Sequence, residues 1–129
     1  MNKISITVIT KDEEINISDC LKSVAWADEI IVVDSESTDR TVELAKQFTD
    51  KIFIRKWEGY VSQKRYALSL AGNEWVLSLD ADERITNELK DEIINLSHGE
   101  FSGFKIRRKN FLLKKEIQAA AGRKIISYG

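Results

Sequence analysis

Trp75-Val76-Leu77-Ser78-Leu79-Asp80-Ala81-Asp82-Glu83 is the stretch that decides the fold of this chain. It opens with an apolar run of strand length and ends in three acids, Asp80, Asp82 and Glu83. Burying an unpaired carboxylate is costly, so these acids require a cation or a solvated cleft. Acids spaced Asp-x-Asp at a strand end suit a hard divalent ion, and such an ion suits phosphate oxygens. A metal-bound nucleotide is therefore the first ligand class to consider.

Working outward, two more segments repeat the arrangement. Ile4 to Ile9 alternates as a first strand and runs into Thr10, Asp12, Glu13 and Glu14. Glu29 to Val33 is continuously apolar and β-branched, which predicts a strand buried on both faces, as in a parallel sheet. It ends in Asp34, with Glu36 and Asp39 close behind, in a turn (Ser35 to Asp39) rich in helix-capping residues. Ile52 to Ile54 reads as a short third strand. Helical spacing joins Ile17, Cys20, Leu21 and Val24, then Val42, Leu44, Ala45 and Phe48. Tyr60, Ala67, Leu68 and Ala71 mark a third helix with Gly72 as its expected stop, and Leu89, Ile93 and Leu96 a fourth, begun near Thr86-Asn87. Strands alternating with helices at this spacing predict βαβ units and an α/β fold with a parallel sheet. After Gly99 the pattern changes. Phe101 to Leu113 alternates weakly and reads as one or two strands, antiparallel at an edge, while Gln118 to Gly122 is small and unpatterned.

In a parallel sheet the strand ends share one edge, and ligands bind there near a topological switch point. Residues distant in sequence then converge on one acidic crevice. Such a crevice would repel a diphosphate unless a cation or a basic side chain entered it. Lys64 is the basic candidate, four residues after Tyr60 and four before Leu68, on the helix face expected to pack inward. A lysine on an apolar stripe either snorkels or functions. Arg65 is adjacent to that face. No Gly-x-x-x-x-Gly-Lys-Ser/Thr loop and no Gly-x-Gly-x-x-Gly follows the first strand, which disfavours P-loop hydrolysis and dinucleotide-dependent redox chemistry.

The 129 residues suggest one domain, 1–129, and a hydrophobic fraction of 43% suffices for a core. Charged residues make up 32%, yet the formal net charge is −1, which argues against non-specific nucleic-acid binding. The last quarter is basic, with Arg107-Arg108-Lys109 and Lys114-Lys115. It suits either an ordinary solvated face or contact with an anionic partner or membrane surface. Cys20 is the single cysteine, so no internal disulfide forms, which fits a reducing compartment and a cytoplasmic location. Its mid-helix position favours a small buried hydrophobe over a nucleophile. His98, before Gly99, reads as a helix-end residue. Neither a signal peptide nor a membrane-spanning run is visible.

Four segments together carry a family resemblance. Thr10-Lys11-Asp12-Glu13, Val33-Asp34-Ser35-Glu36-Ser37-Thr38-Asp39, Lys64-Arg65-Tyr66-Ala67 and Asp80-Ala81-Asp82-Glu83 stand in the order and spacing that resembles family 2 glycosyltransferases. The resemblance implies a GT-A fold: a Rossmann-like three-layer domain, its sheet mostly parallel, with helices on both faces. Ser23-Val24-Ala25-Trp26-Ala27-Asp28-Glu29-Ile30 and Leu79-Asp80-Ala81-Asp82-Glu83 resemble small bacterial enzymes of lipopolysaccharide core assembly, often glucosyltransferases. By this resemblance residues 1–100 form the nucleotide-sugar donor part, and 101–129 begin a truncated or minimal acceptor part. Thr10 and Glu13 would line the nucleoside pocket, and Asp34 would bind a uracil base. Lys64 or Arg65 would contact base or diphosphate, Asp80 would face ribose or sugar, and Asp82 would hold Mn2+ or Mg2+. The implied reaction moves a hexose, glucose from UDP-glucose, to a saccharide or lipid-linked saccharide acceptor with inversion. It would serve lipopolysaccharide core or other envelope glycan assembly, in the cytoplasm or peripherally on the inner face of the membrane.

Two features depart from the family pattern. Glu36 stands where the family often has glycine, at a place where unusual backbone angles are wanted. The chain is also short for the family, whose second half builds the acceptor site and supplies the general base. Glu100 and Glu116 sit in no recognisable motif, so no catalytic base is assigned. One alternative is a module that binds nucleotide sugar and metal without turnover. Another, a phosphoacceptor receiver, is disfavoured because Asp80 falls a strand late and no fifth-strand lysine is evident.

Overall fold

The computed structural model describes residues 3–98, 115–120 and 123–128. Along the chain run β1 (Ile4–Thr10), α1 (Ile17–Ser23), β2 (Glu29–Asp34), α2 (Thr41–Ala45) and β3 (Ile52–Ile54). Then follow α3 (Tyr60–Leu70), β4 (Trp75–Asp80), α4 (Asn87–His98), β5 (Lys115–Ala120) and β6 (Arg123–Tyr128). The strands form one six-stranded sheet in the order β3-β2-β1-β4-β6-β5. Every neighbouring pair is parallel except β5 with β6. The chain winds outward from β1 through β2 to β3, then returns to place β4 on the other side of β1. That reversal puts the topological switch point between β1 and β4.

Side chains alternate across a strand, and β2 shows why its sequence does not. Ile30 and Val32 enter the apolar layer that also holds Ile17 and Leu21 of α1, Ala45 of α2, and Leu89 and Ile93 of α4. Ile31 and Val33 enter the layer on the other face, with Val76 and with Ala67 and Ala71 at α3. Helices on both faces leave no solvated side for β2, so all four positions are apolar. The β1 residues Ile6 and Val8, and the β4 residues Trp75, Leu77 and Leu79, complete the first layer. The start of α4 is fixed by Thr86, whose Oγ1 accepts the Leu89 N–H at 3.2 Å.

Three expectations need correction. The segment expected to be unpatterned, Gln118 to Gly122, belongs in part to a strand: Gln118 pairs with Ile125, Ala119 with Lys124 and Ala120 with Arg123. Alanine pairs of this kind are held by the ladder and by β6, which lies between β4 and β5, and local propensity does not report them. The weakly alternating Phe101 to Leu113 lies outside the described residues. Helix α2 stops at Ala45, although Phe48 still packs on the core. Gly72 does not end α3 in a left-handed cap. The helix is stopped by Ala71, already extended at φ −67° and ψ 131°. Gly72 instead donates its N–H to Glu29 Oε1 at 2.7 Å, and a Cβ there would lie 3.3 Å from the Glu29 carboxylate.

Glu29 ties the end of the sheet remote from the strand-end acids. It also accepts from Ser5 Oγ at 2.7 Å and pairs with Lys51. Burial alone would raise its pKa. The Gly72 N–H, Lys51 and Ser5 outweigh that and hold it below the ordinary glutamate value.

Candidate functional site

The parallel registers bring the strand ends flush. Thr10 stands opposite Asp34, and Ile9 opposite Asp80. Thr10 at the end of β1 with Glu13 just after it, and Asp80 at the end of β4 with Asp82 just after it, line a single cleft of about 200 Å3 together with Lys11, Trp57 and Tyr60. Four of the seven expected site residues therefore meet in one place.

A reciprocal turn shapes the β4 side. The Glu83 N–H donates to the Asp80 carbonyl at 2.9 Å, and the Asp80 N–H donates to Glu83 Oε1 at 2.7 Å. Ala81 is buried within this turn and Asp82 is exposed. Burial, with the charges of Asp80 and Asp82 adding to it, raises the Glu83 carboxyl above the usual range despite the Asp80 N–H and Lys64. The two aspartates of the turn differ in their surroundings. Asp80 receives the Tyr60 hydroxyl at 3.1 and 3.2 Å and lies 3.5 Å from Lys64 Nζ. Among the described residues, no hydrogen bond or ion pair engages the Asp82 carboxylate.

Lys64 reaches the cleft through Asp80, and its ammonium also sits 4.7 Å from the Tyr60 ring centroid. Burial would lower its pKa, but Tyr60 and Asp80 outweigh burial and hold it above the ordinary lysine value. Lys64 is therefore a cation held behind Asp80, lining the neighbouring groove and not the cleft itself. The expectation that the Tyr60–Lys64–Leu68 face packs inward holds only at Leu68, which packs on the second core layer: the buried residues of α3 are Gln63 and Ala67, and Tyr60 is 48% exposed. Gln63 can be buried because its amide has partners. Arg55 Nη1 donates to Gln63 Oε1 at 2.9 Å, and Gln63 Nε2 donates back to the Arg55 carbonyl at 3.4 Å. The Tyr60–Lys64–Leu68 ridge consequently borders a second groove of about 210 Å3, which Arg65 lines as well. Arg65 is exposed and does not line the acidic cleft.

Asp34 is fully buried and is not part of the cleft lining. Its Oδ1 accepts from Thr10 Oγ1 and Ser37 Oγ, both at 2.6 Å, and its Oδ2 accepts the Ser37 N–H at 2.8 Å. Three of the roughly four acceptor directions of a carboxylate are thereby taken. Other acids near it stitch the loop after β1 to the loop after β2. Asp12 Oδ1 accepts the Thr38 N–H at 2.8 Å, Asp39 Oδ2 the Glu14 N–H at 3.1 Å, and Glu14 Oε2 the Arg40 N–H at 3.2 Å. In return Ser37 Oγ takes the Asp12 N–H and Thr41 Oγ1 the Glu13 N–H, both at 2.8 Å. Glu36 adopts φ +55° and Asp12 φ +50°. The glycine-like geometry at Glu36 is thus retained by a residue with a Cβ.

Cys20 lies behind the cleft turn, its Sγ 3.7 Å from the Asp80 carbonyl oxygen. Burial pushes its pKa up to about 12, so the thiol stays protonated and acts as a small hydrophobe. Sequence reasoning missed Trp57 and Tyr60 as cleft residues. The available signal was a pair of aromatics flanking Gly59 in the connection after a strand end.

Among the described residues no group of three or more His, Cys, Asp or Glu side chains gathers to hold a metal by itself. Asp80 and Asp82 supply hard carboxylate oxygens, and Mg2+-like ions are commonly held by one or two carboxylates plus substrate phosphates. The donor set therefore fits an ion shared with a diphosphate.

The family model for glycosyl transferase family 2 matches residues 5–110. The chain belongs to this family. It is 51% identical over 94 residues to an uncharacterised glycosyltransferase of Rickettsia typhi, covering 72% of this chain and 32% of that protein. It is 31% identical over 117 residues to the lipopolysaccharide core biosynthesis glycosyltransferase LpsC of Rhizobium meliloti, covering 85% of this chain and 43% of LpsC. Among solved structures it resembles Staphylococcus aureus TarS 1-349 in complex with UDP-GlcNAc, with a TM-score of 0.61 and 31% identity. That match covers 74% of this chain and 31% of TarS 1-349. The chain thus spans about a third of the length of the first relatives it matches. The six-stranded sheet and these neighbours establish the GT-A architecture expected from the motifs. No helix among the described residues is long and apolar enough to cross a membrane.

Proposed function

We propose that this domain holds the donor of a metal-dependent glycosyltransferase that moves a hexose, glucose from UDP-glucose, onto a saccharide acceptor with inversion. The observation that carries the reading is the meeting of Thr10, Glu13, Asp80 and Asp82 in one cleft, with Asp82 unengaged beside an Asp80 already paired with Lys64. Residues 1–100 form the donor part, and 101–129 begin the acceptor part. Thr10 and Glu13 line the nucleoside pocket. The uracil N–H is assigned to Asp34, whose buried carboxylate has to become accessible to take it, and Lys64 and Arg65 face base or diphosphate. Asp80 faces ribose or sugar, and Asp82 holds Mn2+ or Mg2+. Bound there, the ion neutralises charge on the departing diphosphate. The protein's own groups orient the donor so that the anomeric carbon, cation-like in the transition state, is open to the acceptor.

The likeness to LpsC supports a lipopolysaccharide core or other envelope glycan as product, with a saccharide or lipid-linked saccharide as acceptor. The basic segment Arg107-Arg108-Lys109 with Lys114-Lys115 suits peripheral contact with the inner face of the membrane from the cytoplasm. The test is a calorimetric titration with UDP, with and without Mn2+. UDP binding weakens strongly without the metal, and Asp82→Ala abolishes that difference. Equal affinity in both conditions for the unaltered protein refutes the metal bridge. Mn2+-dependent hydrolysis of UDP-glucose then separates a transferring domain from one that only binds.

A further inference from the structure

The first residue of α3 stands where the two cavities meet. Tyr60 lines both the acidic cleft and the groove along α3. Its hydroxyl lies 3.1 Å from one Asp80 oxygen and 3.2 Å from the other, so the phenol straddles the carboxylate. Its ring carries Lys64 Nζ at 4.7 Å from the centroid, and the same ammonium is 3.5 Å from Asp80 Oδ1. Tyrosine, lysine and aspartate close a triangle in which each member touches the other two. An aspartate carboxyl otherwise turns broadly about its last torsion. A donor shared between both oxygens, with a cation on one of them, leaves it one orientation.

The backbone before Tyr60 serves the same end. Gly59 adopts φ +111° and ψ 155°, a region essentially reserved for glycine. No atom lies within 4 Å of where its Cβ would be, so the requirement is conformational and not one of space. This angle starts α3 abruptly and sets the phenol over the end of β4.

We propose that Tyr60 is a positioning residue of the donor site, acting through Asp80. It fixes the plane of the Asp80 carboxylate and, with Lys64, offsets part of its charge. The two aspartates of the turn thereby become unequal. Asp80 is presented as an oriented acceptor for a hydroxyl of ribose or sugar, and Asp82 keeps its oxygens for a cation. The inference rests on the donor-site reading above.

The test is a double-mutant cycle of Tyr60→Phe and Asp80→Asn, read by calorimetric titration with UDP in the presence of Mn2+. Tyr60→Phe keeps the ring and its contact with Lys64 and removes only the hydroxyl. Its fold is checked by circular dichroism and thermal unfolding. A hydrogen bond to a charged group predicts UDP binding about tenfold weaker in Tyr60→Phe. In the Asp80→Asn background the same change costs less, because the amide oxygen still accepts the hydroxyl but only as a weaker, neutral bond. Equal UDP affinity for Tyr60→Phe and the unaltered protein overturns the proposal. So does an undiminished loss in the Asp80→Asn background, which would mean that Tyr60 touches the nucleotide directly. If the unaltered protein binds no UDP, the donor-site reading itself fails and this inference with it, an outcome distinct from the other two.

Discussion

Replacing Asp34 tests whether the acid after β2 holds its loop by the bonds described. The carboxylate is buried and receives Thr10 Oγ1, Ser37 Oγ and the Ser37 N–H. Asp34→Ala removes both acceptor oxygens, and with them all three hydrogen bonds, at once. The two hydroxyls can turn to other partners, but the Ser37 N–H is fixed by the backbone and is left without one. Hydrogen bonds to a charged group contribute about 1.5–3 kcal/mol each, and three that share one group are not additive. Relief from burying the charge offsets part of the loss, so the expected destabilisation is about 3 kcal/mol. Asp34→Asn makes the finer test, because it preserves the shape. Turned so that its oxygen meets the Ser37 N–H, the amide can donate to Thr10 Oγ1 and Ser37 Oγ. All three contacts survive as neutral bonds, and the expected cost falls to about 1 kcal/mol. The assay is equilibrium unfolding in urea. With a slope of about 1.5 kcal/mol/M, Asp34→Ala lowers the midpoint by about 2 M and Asp34→Asn by about 0.7 M, at unchanged slope. A midpoint for Asp34→Ala within about 0.5 M of the unaltered protein refutes the reasoning. Equal damage from the two variants refutes the amide argument.

Two further expectations concern the loops and the remote end of the sheet. Glu36→Gly relieves a left-handed residue, worth about 1–2 kcal/mol, against about 0.5–1 kcal/mol for the greater freedom of glycine when unfolded. The urea midpoint should therefore rise slightly; a fall contradicts the assignment of strain to Glu36. The Lys11 contact survives this change, because it is made to the Glu36 carbonyl at 3.0 Å. Glu29 has its pKa held below the ordinary value of 4.5, so its contribution is complete above that pH and is lost as pH falls through the lower folded value. Glu29→Gln should be less stable than the unaltered protein at pH 7 and should lose less stability on acidification below about pH 4.5, as followed by thermal unfolding. Parallel acid profiles for the two proteins count against the Glu29 knot.

The alternation of apolar strands and helical stripes was legible from Ile4 to Ile93 because β1, β2, β4, α1 and α4 each set apolar residues into the core layers. β1 and β4 carry their register in the apolar pattern, and β2 carries its two-sided burial in four consecutive branched residues. The β5–β6 pair was not legible, since Ala119 and Ala120 are strand residues only by virtue of their partners Lys124 and Arg123. The candidate site was legible in its acids and misread in its helix. Counting acids at strand ends overstates the free charge: Asp12, Glu14 and Asp39 all spend carboxylate oxygens on backbone N–H groups of a neighbouring loop. Tyr60 was read as part of an inward stripe. Gln63 is buried on that helix instead, its amide bonded to the guanidinium and carbonyl of Arg55 eight residues away, and no hydropathy period encodes such a pair.

The reciprocal bonding between the loop after β1 and the loop after β2 has a practical consequence for anyone redesigning either loop. Asp12, Glu13 and Glu14 on one side and Ser37, Thr38, Asp39, Arg40 and Thr41 on the other are cross-wired through main-chain amides. A library that randomises either segment alone will mostly sample mismatched halves. Recombining the two as a single cassette keeps each N–H with its acceptor, and that is the unit in which these loops should be exchanged.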